Sequence, residues 1–313
     1  MGCRTGAAGS DVLSKGHRPG EERGRGLMIT CWFVSDLHGH AGRFRTLEHA
    51  LKASPPDILF IGGDIFPGGL RIAAGEKHRS SFAEETLFAC FSRVRSQLGR
   101  QYPSVYLIAG NDDPRILESD FLEGERRGYW HYAHMRRFED RAYLVAGYSC
   151  VPPTPFLLKD WERYDVSRFV DPGCMAPEDG RFTVEQDLEL LRYRTIADDL
   201  EELTAGCEPS RLVLLFHAPP YRTALDRAAL DGKMFDHAPL DVHVGSVAIR
   251  RLIERLQPRV TMHGHVHESA RLTGAWWEDI GSTRAFGAAH DNHRLALVRF
   301  DLDNPRDAER VLL

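Results

Sequence analysis

Seven residues of this 313-residue chain have the types and spacing of metal ligands: Asp36 and His38, Asp64, Asn111, His217, and His265 and His267. The set offers carboxylate, amide oxygen and imidazole but no thiolate. That mixture suits Mn²⁺, Fe or Zn²⁺ better than Ca²⁺, which takes oxygen alone. Seven ligands exceed the four of a structural zinc site and are enough for two ions sharing one carboxylate. Two ions about 3.5–4 Å apart lower the pKa of a water between them and offset the charge that develops in in-line displacement at phosphorus. Asp64 is the natural shared ligand, because a short carboxylate after Gly62-Gly63 can face both ions. Singly, Asp-x-His, Gly-Gly-Asp and Gly-Asn-Asp are ordinary turn sequences. Gly264-His265-x-His267 is more specific, since alternate residues of an extended segment point to one side.

These residues share a position in the pattern. Residues 29–34, 57–61, 105–109, 211–216 and 258–262 are short apolar runs of strand character, and each ends at one of the candidates. Between the first three runs lie segments of helical period, 41–53 and 82–98. Strands alternating with helices predict a parallel or mixed α/β sheet, whose functional groups collect at the carboxyl ends of the strands. Further on, 129–147 reads as short antiparallel strands, 147–156 as a Pro-rich loop and 157–182 as a surface excursion. Val184 to Leu203 reads as one long acidic helix with Leu188, Leu191, Ile196 and Leu200 as its apolar stripe. Residues 221–244 read as a polar loop, 247–256 as a helix and 271–312 as antiparallel strands.

Composition bounds the rest. A net charge of −5 leaves no nucleic-acid footprint, and no apolar run approaches the length of a membrane span. Six cysteines without a C-x-x-C pair argue against a disulfide framework and for a reducing, cytoplasmic setting. Residues 1–27 are rich in Gly, Arg, Ser and Glu and read as a disordered arm before a domain over 28–313, with Met28 a candidate start. Arg71, Lys77 and Arg79 fall in a Gly-rich loop that reads first as solvated surface and second as a contact to a phosphate or nucleotide. Oligomeric state is not legible, and a homo-oligomer stays open.

The ordered series Asp36-x-His38, Gly62-Gly63-Asp64, Gly110-Asn111, His217 and Gly264-His265-x-His267 resembles the calcineurin-like metallophosphoesterase superfamily over about residues 28–300. Pro153-Thr154-Pro155-Phe156, His217-Ala218-Pro219-Pro220-Tyr221 and His243-Val244-Gly245-Ser246 are similar to its Icc-related branch. The resemblance implies a four-layer α/β sandwich, two mixed β-sheets flanked by α-helices. It implies one metal on Asp36, His38, Asp64 and His267, a second on Asp64, Asn111, His217 and His265, and a metal-bridging hydroxide attacking a small phosphoester. In many members a histidine that serves the phosphate or the leaving group follows the Gly-Asn. Here Asp112 stands there. A carboxylate beside a dianionic phosphate is repulsive, so a phosphodiesterase is expected ahead of a phosphomonoesterase or nucleotide pyrophosphohydrolase. His40 is the first substitute for the missing proton donor, with His263 and His243 less well placed, and Glu268 could orient a ligand imidazole. A metal-binding scaffold of the same fold is the alternative from another class.

Overall fold

The computed structural model describes residues 28–68 and 82–313. The expected arm at 1–27 and the basic loop residues Arg71, Lys77 and Arg79 lie outside these.

β1 (Thr30–Val34), β2 (Ile58–Ile61), β3 (Ser104–Leu107) and β4 (His131–Tyr132) pair in parallel, in that order. β13 (Ala296–Asp301) joins β1 antiparallel and β14 (Glu309–Leu312) extends that edge. The centre of the second sheet, β12 (Thr283–Gly287), β10 (Val260–His263), β7 (Leu212–Phe216) and β6 (Tyr143–Tyr148), is parallel. β11 (Trp277–Ile280) and β5 (Arg137–Asp140) close it antiparallel, giving the order β11-β12-β10-β7-β6-β5. A separate hairpin pairs β8 (Met234–Phe235) with β9 (Ala238–Pro239).

Strand alternation sorts the core. Cys31, Phe33, Ile58, Phe60, Tyr106, Val213, Leu215 and Met262 point between the two sheets. Trp32, Val34, Leu59, Ile61, Leu212 and Leu214 point outward under helices. α1 (Ala41–Ala53) and α2 (Ala89–Leu98) cover the first sheet, α2 continuing a π-helical turn at Ala83–Phe88. α5 (Ile196–Thr204) and α6 (Val247–Leu256) cover the second. Strands buried on both faces read as continuous apolar runs, which is why they were visible in the sequence. The mixed two-sheet sandwich flanked by helices is the architecture the resemblance implied.

Four local expectations need correction. The stretch at 129–147 is not simply antiparallel: β4 runs parallel to β3, and only β5 and β6 form a hairpin. The long helix at 184–203 is two, α4 (Leu188–Tyr193) and α5. Thr195 ends the run by capping α5, its hydroxyl and the Asp198 carboxylate forming a reciprocal capping box. Residues 157–182 are anchored rather than peripheral, because Trp161 is buried and its Nε1 donates to the Asp113 carbonyl at 2.7 Å. In 271–312, β12 lies parallel to β10, and the segment then crosses to the first sheet. α3 (Glu118–Arg126), with no strong apolar run, was not anticipated. No helix among the described residues is long and apolar enough to cross a membrane.

Candidate metal centre

The loop after β1 turns sharply. Asp36 (φ 58°) and His38 (φ 46°) are left-handed, as are Asp64 (φ 50°) after β2 and His265 (φ 72°) after β10. Such backbone costs about 1–2 kcal/mol per non-glycine residue, so the surroundings must impose it. They do so by hydrogen bonds between loops: Asp36 N–H to the Gly63 carbonyl (3.0 Å), His38 N–H to Asp64 (2.7 Å) and Gly39 N–H to Ile65 (2.8 Å). Arg43 of α1, nearly buried, donates to the carbonyls of Asp36 and Asn292 and ties the loop to the far end of the chain.

Asp36, His38, Asp64 and His267 converge, with one ligand atom from each lying within 4.8 Å of all the others. His38 Nε2 is 3.1 Å from His267 Nε2 and 3.7 Å from Asp64 Oδ2, and His267 Nε2 is 3.2 Å from Asp36 Oδ1. On the other side of Asp64, His217 Nε2 is 3.4 Å from Asp64 Oδ2 and 3.0 Å from Asn111 Oδ1. His217 Nδ1 donates to the Gly62 carbonyl at 2.7 Å, which turns Nε2 toward the carboxylate. The His265 ring sits 5.2 Å from that of His217, and its backbone N–H donates to Asp36 Oδ1. All seven predicted ligands therefore share one neighbourhood, with Asp64 between the two groups.

The electrostatics call for positive charge. Burial opposes ionisation of Asp36, yet the His267 hydrogen bond and the charges of His267, His217 and His38 hold its carboxyl well below the usual range. Asp64, also opposed by burial, is held down to about 2, chiefly by His217. Burial would lower His38 and His217, but their carboxylate neighbours outweigh it and push each up to about 9. Asp36 Oδ2 is buried and has no hydrogen-bond partner among the described residues. A buried, orphaned carboxylate oxygen is expensive unless something absent from the protein atoms satisfies it. A divalent cation fits that oxygen and this donor set. Two glycines leave room for the carboxylates: a Cβ at Gly110 would lie 2.2 Å from Asp64 Oδ1, and one at Gly264 would lie 2.8 Å from Asp36 Oδ2.

Asp112 does not lie idle where a histidine was expected. Its Oδ2 is 3.4 Å from His38 Nδ1, and its N–H donates to Asp64 Oδ1 at 2.8 Å. His40 is exposed at the start of α1, and its side chain makes no capping bond. Burial, Arg43 and His38 lower its pKa. His263 is buried and held by the Ala218 carbonyl and the Thr261 hydroxyl, and His243 pairs with Asp226 at 2.8 Å. Glu268 accepts from Ala229 N–H rather than from a ligand imidazole.

Asp113 escaped the sequence reading. It is fully buried, accepts from Ile65 N–H (2.8 Å) and Phe66 N–H (2.7 Å) on one oxygen and from Gly110 N–H (2.9 Å) on the other, and so binds the Asp64 loop to the Asn111 loop. The only signal was a second Asp after Gly-Asn, which reads as a turn. Arg43 escaped as well, one turn into a helix and beside Phe44 of its apolar face.

A family profile described as calcineurin-like phosphoesterase matches residues 29–269. One solved structure is 18% identical with a TM-score of 0.55 and covers 92% of this chain and 99% of its own. A protein of Thermus thermophilus, TT1561, is 15% identical with a TM-score of 0.53, covering 91% of this chain and 99% of its own. Both show the fold. A dimetal phosphatase from Danio rerio is 11% identical with a TM-score of 0.46, over 91% of this chain and 98% of its own. No curated protein matches the chain. With the profile spanning most of the sequence and the Asp/His cluster at its strand ends, the chain belongs to the calcineurin-like phosphoesterase family.

Proposed function

We propose that the chain is a two-metal-dependent phosphoester hydrolase that favours diesters over dianionic monoesters. The observation that carries the reading is the convergence of Asp36, His38, Asp64 and His267 around a buried carboxylate oxygen with no partner among the described residues. Asp36, His38, Asp64 and His267 would hold one ion, and Asp64, Asn111, His217 and His265 the other, with Mn, Fe or Zn suited to the donors. When bound, such ions supply an activated water and offset charge on the phosphoryl oxygens.

The chain's own residues orient and select. The Gly62 carbonyl fixes the His217 tautomer, and Asp112 accepts from His38 Nδ1, so both imidazoles present Nε2 to the cluster. In this reading Asp112 is a positioning residue, not a replacement acid. Its half-buried carboxylate also repels a dianion more than a monoanion. His40 is the proton donor to the leaving oxygen, a role supported by its exposure and by the occupation of His243 and His263 elsewhere. Burial, Arg43 and His38 lower its pKa, which favours release of the proton.

The test is a Mn²⁺-supplemented screen of bis-p-nitrophenyl phosphate, p-nitrophenyl phosphate and cyclic nucleotides, with metal analysis. About two metal equivalents, higher kcat/KM on the diester and loss of both in Asp64→Ala are expected. Faster monoester cleavage refutes the diester preference. Full metal content with no turnover of any ester points to the scaffold.

A further inference from the structure

Beyond the C-terminal ends of β6 and β7 lies a cavity of about 420 Å³, walled by residues from 152–174 and 221–247. The chain ties it to the metal centre. His217 and Tyr221 are four residues apart, at most ~14 Å along an extended chain, and Tyr221 lines the cavity. The link is stiff, because Ser246 N–H donates to the Pro219 carbonyl and Tyr221 N–H to the Ser246 carbonyl.

The wall has an unusual composition. It is mostly apolar, with three aromatic rings, Phe169, Tyr221 and Phe235. Phe169 is 69% exposed and Phe235 51% exposed, apolar surface that a ligand in the cavity would cover. Among the described residues no lysine or arginine lines it, while Asp165, Asp171, Asp241 and His243 do, the His243 ring being paired with Asp226. Asp165 is spent on capping α6, taking the Ser246 hydroxyl and the N–H groups of Val247 and Ala248. Asp241 accepts from the Tyr221 hydroxyl and the His243 N–H, and Arg222, outside the wall, stacks on Tyr221 at 5.2 Å. Asp171 faces the same space, its carboxyl pushed up by partial desolvation and by Asp241 although the residue is exposed overall. With Asp165 and Asp241 already partnered, Asp171 beside the aromatic rings is the carboxylate left to favour an organic cation, through ring-face attraction and charge together, and to disfavour an anion.

We propose that this cavity binds the cationic, ammonium-bearing end of the phosphoester substrate, whose phosphate sits at the metal cluster. The assignment of the occupant as substrate rests on the phosphoesterase reading above, whereas binding of the cation does not.

Calorimetry on the full chain with benzyltrimethylammonium, benzyl alcohol and benzoate tests binding without turnover. The cation should bind tightest and benzoate weakest. Asp171→Asn should weaken the cation at least five-fold while leaving the alcohol alone, and Phe169→Ala should weaken both. Both changes are at exposed positions. Benzoate binding as tightly as the cation, or a cation affinity untouched by either variant, overturns the site. For the substrate link, p-nitrophenyl phosphocholine should show a KM at least five-fold below that of p-nitrophenyl ethyl phosphate at similar kcat. Equal KM values overturn that link. Cation binding with no hydrolysis of either ester refutes the phosphoesterase reading instead.

Discussion

Replacing Asp113 by Asn removes a charge and changes almost nothing in shape. Two effects compete. The amide oxygen can keep the bonds from Ile65 and Phe66 N–H, but the NH₂ then faces Gly110 N–H, leaving that buried donor unsatisfied at about 1–3 kcal/mol. Against this, the native carboxylate is already uncomfortable: burial and the charge of Asp64 push its pKa up to about 7. Losing the charge therefore costs little at neutral pH, and the donor term decides, at about 2 kcal/mol of stability. The sign with pH follows. A carboxyl raised in the fold contributes stability that is complete below its unfolded pKa and is lost as pH rises through about 7. In chelator, wild type should lose about 2 kcal/mol more than Asp113→Asn between pH 5.5 and 8, so the variant's deficit is largest in acid. Urea unfolding at both pH values reads this. Because Asp113 holds the Asp64 and Asn111 loops together, metal affinity should fall as well. A variant with wild-type stability at pH 5.5 and wild-type metal affinity would show that the three N–H bonds do not hold the site.

Asp112→Ala should lower metal affinity about 10–100-fold by freeing the His38 ring, with Asp112→Asn closer to wild type because it keeps an acceptor; metal titration separates them. Equal affinities in all three would remove the positioning role. Gly264→Ala puts a Cβ 2.2 Å from Ser35 Oγ and 2.8 Å from Asp36 Oδ2, so metal content should drop and stability fall by about 1–3 kcal/mol. Full metal occupancy in the purified variant would contradict this. His134, packed against Tyr148 and Trp161, has its pKa lowered to about 3 by burial, Arg115 and Arg163. The unfolded chain takes up that proton below pH 6.5, so wild type should lose about 2 kcal/mol from this group by pH 5. His134→Asn, which can still accept from Ser149 N–H, should lose less on acidification, and identical slopes would count against the assignment.

The parts of the fold legible in the sequence were those with one dominant signal. β2 and β7 are unbroken apolar runs, and β1, β3 and β10 are interrupted by only one or two polar residues, so all five stood out, with the ligand candidates as polar residues at their ends. Elements set by competition were hidden. The apolar stripe over 184–203 favoured one helix, but the Thr195–Asp198 capping box and the bonds from Arg194 to Asp199 and Glu202 favour a break. β4 is two residues long and owes its sheet to tertiary pairing with Tyr106 and Leu107. In the centre, residues that would touch the ions announce themselves by type. Asp113 and Arg43 act on backbone groups, and their partners, Gly110 N–H and the Asp36 and Asn292 carbonyls, have no side-chain signature.

The left-handed backbone at Asp36, His38, Asp64 and His265 sets stability and chemistry against each other at the same four codons. Glycine would adopt those angles without penalty, at a gain of about 1 kcal/mol per site, while discarding a ligand. A population of variants screened only for heat resistance should drift toward glycine and asparagine at these positions and lose its metal. One screened for hydrolysis should keep all four and recover robustness elsewhere in the sandwich.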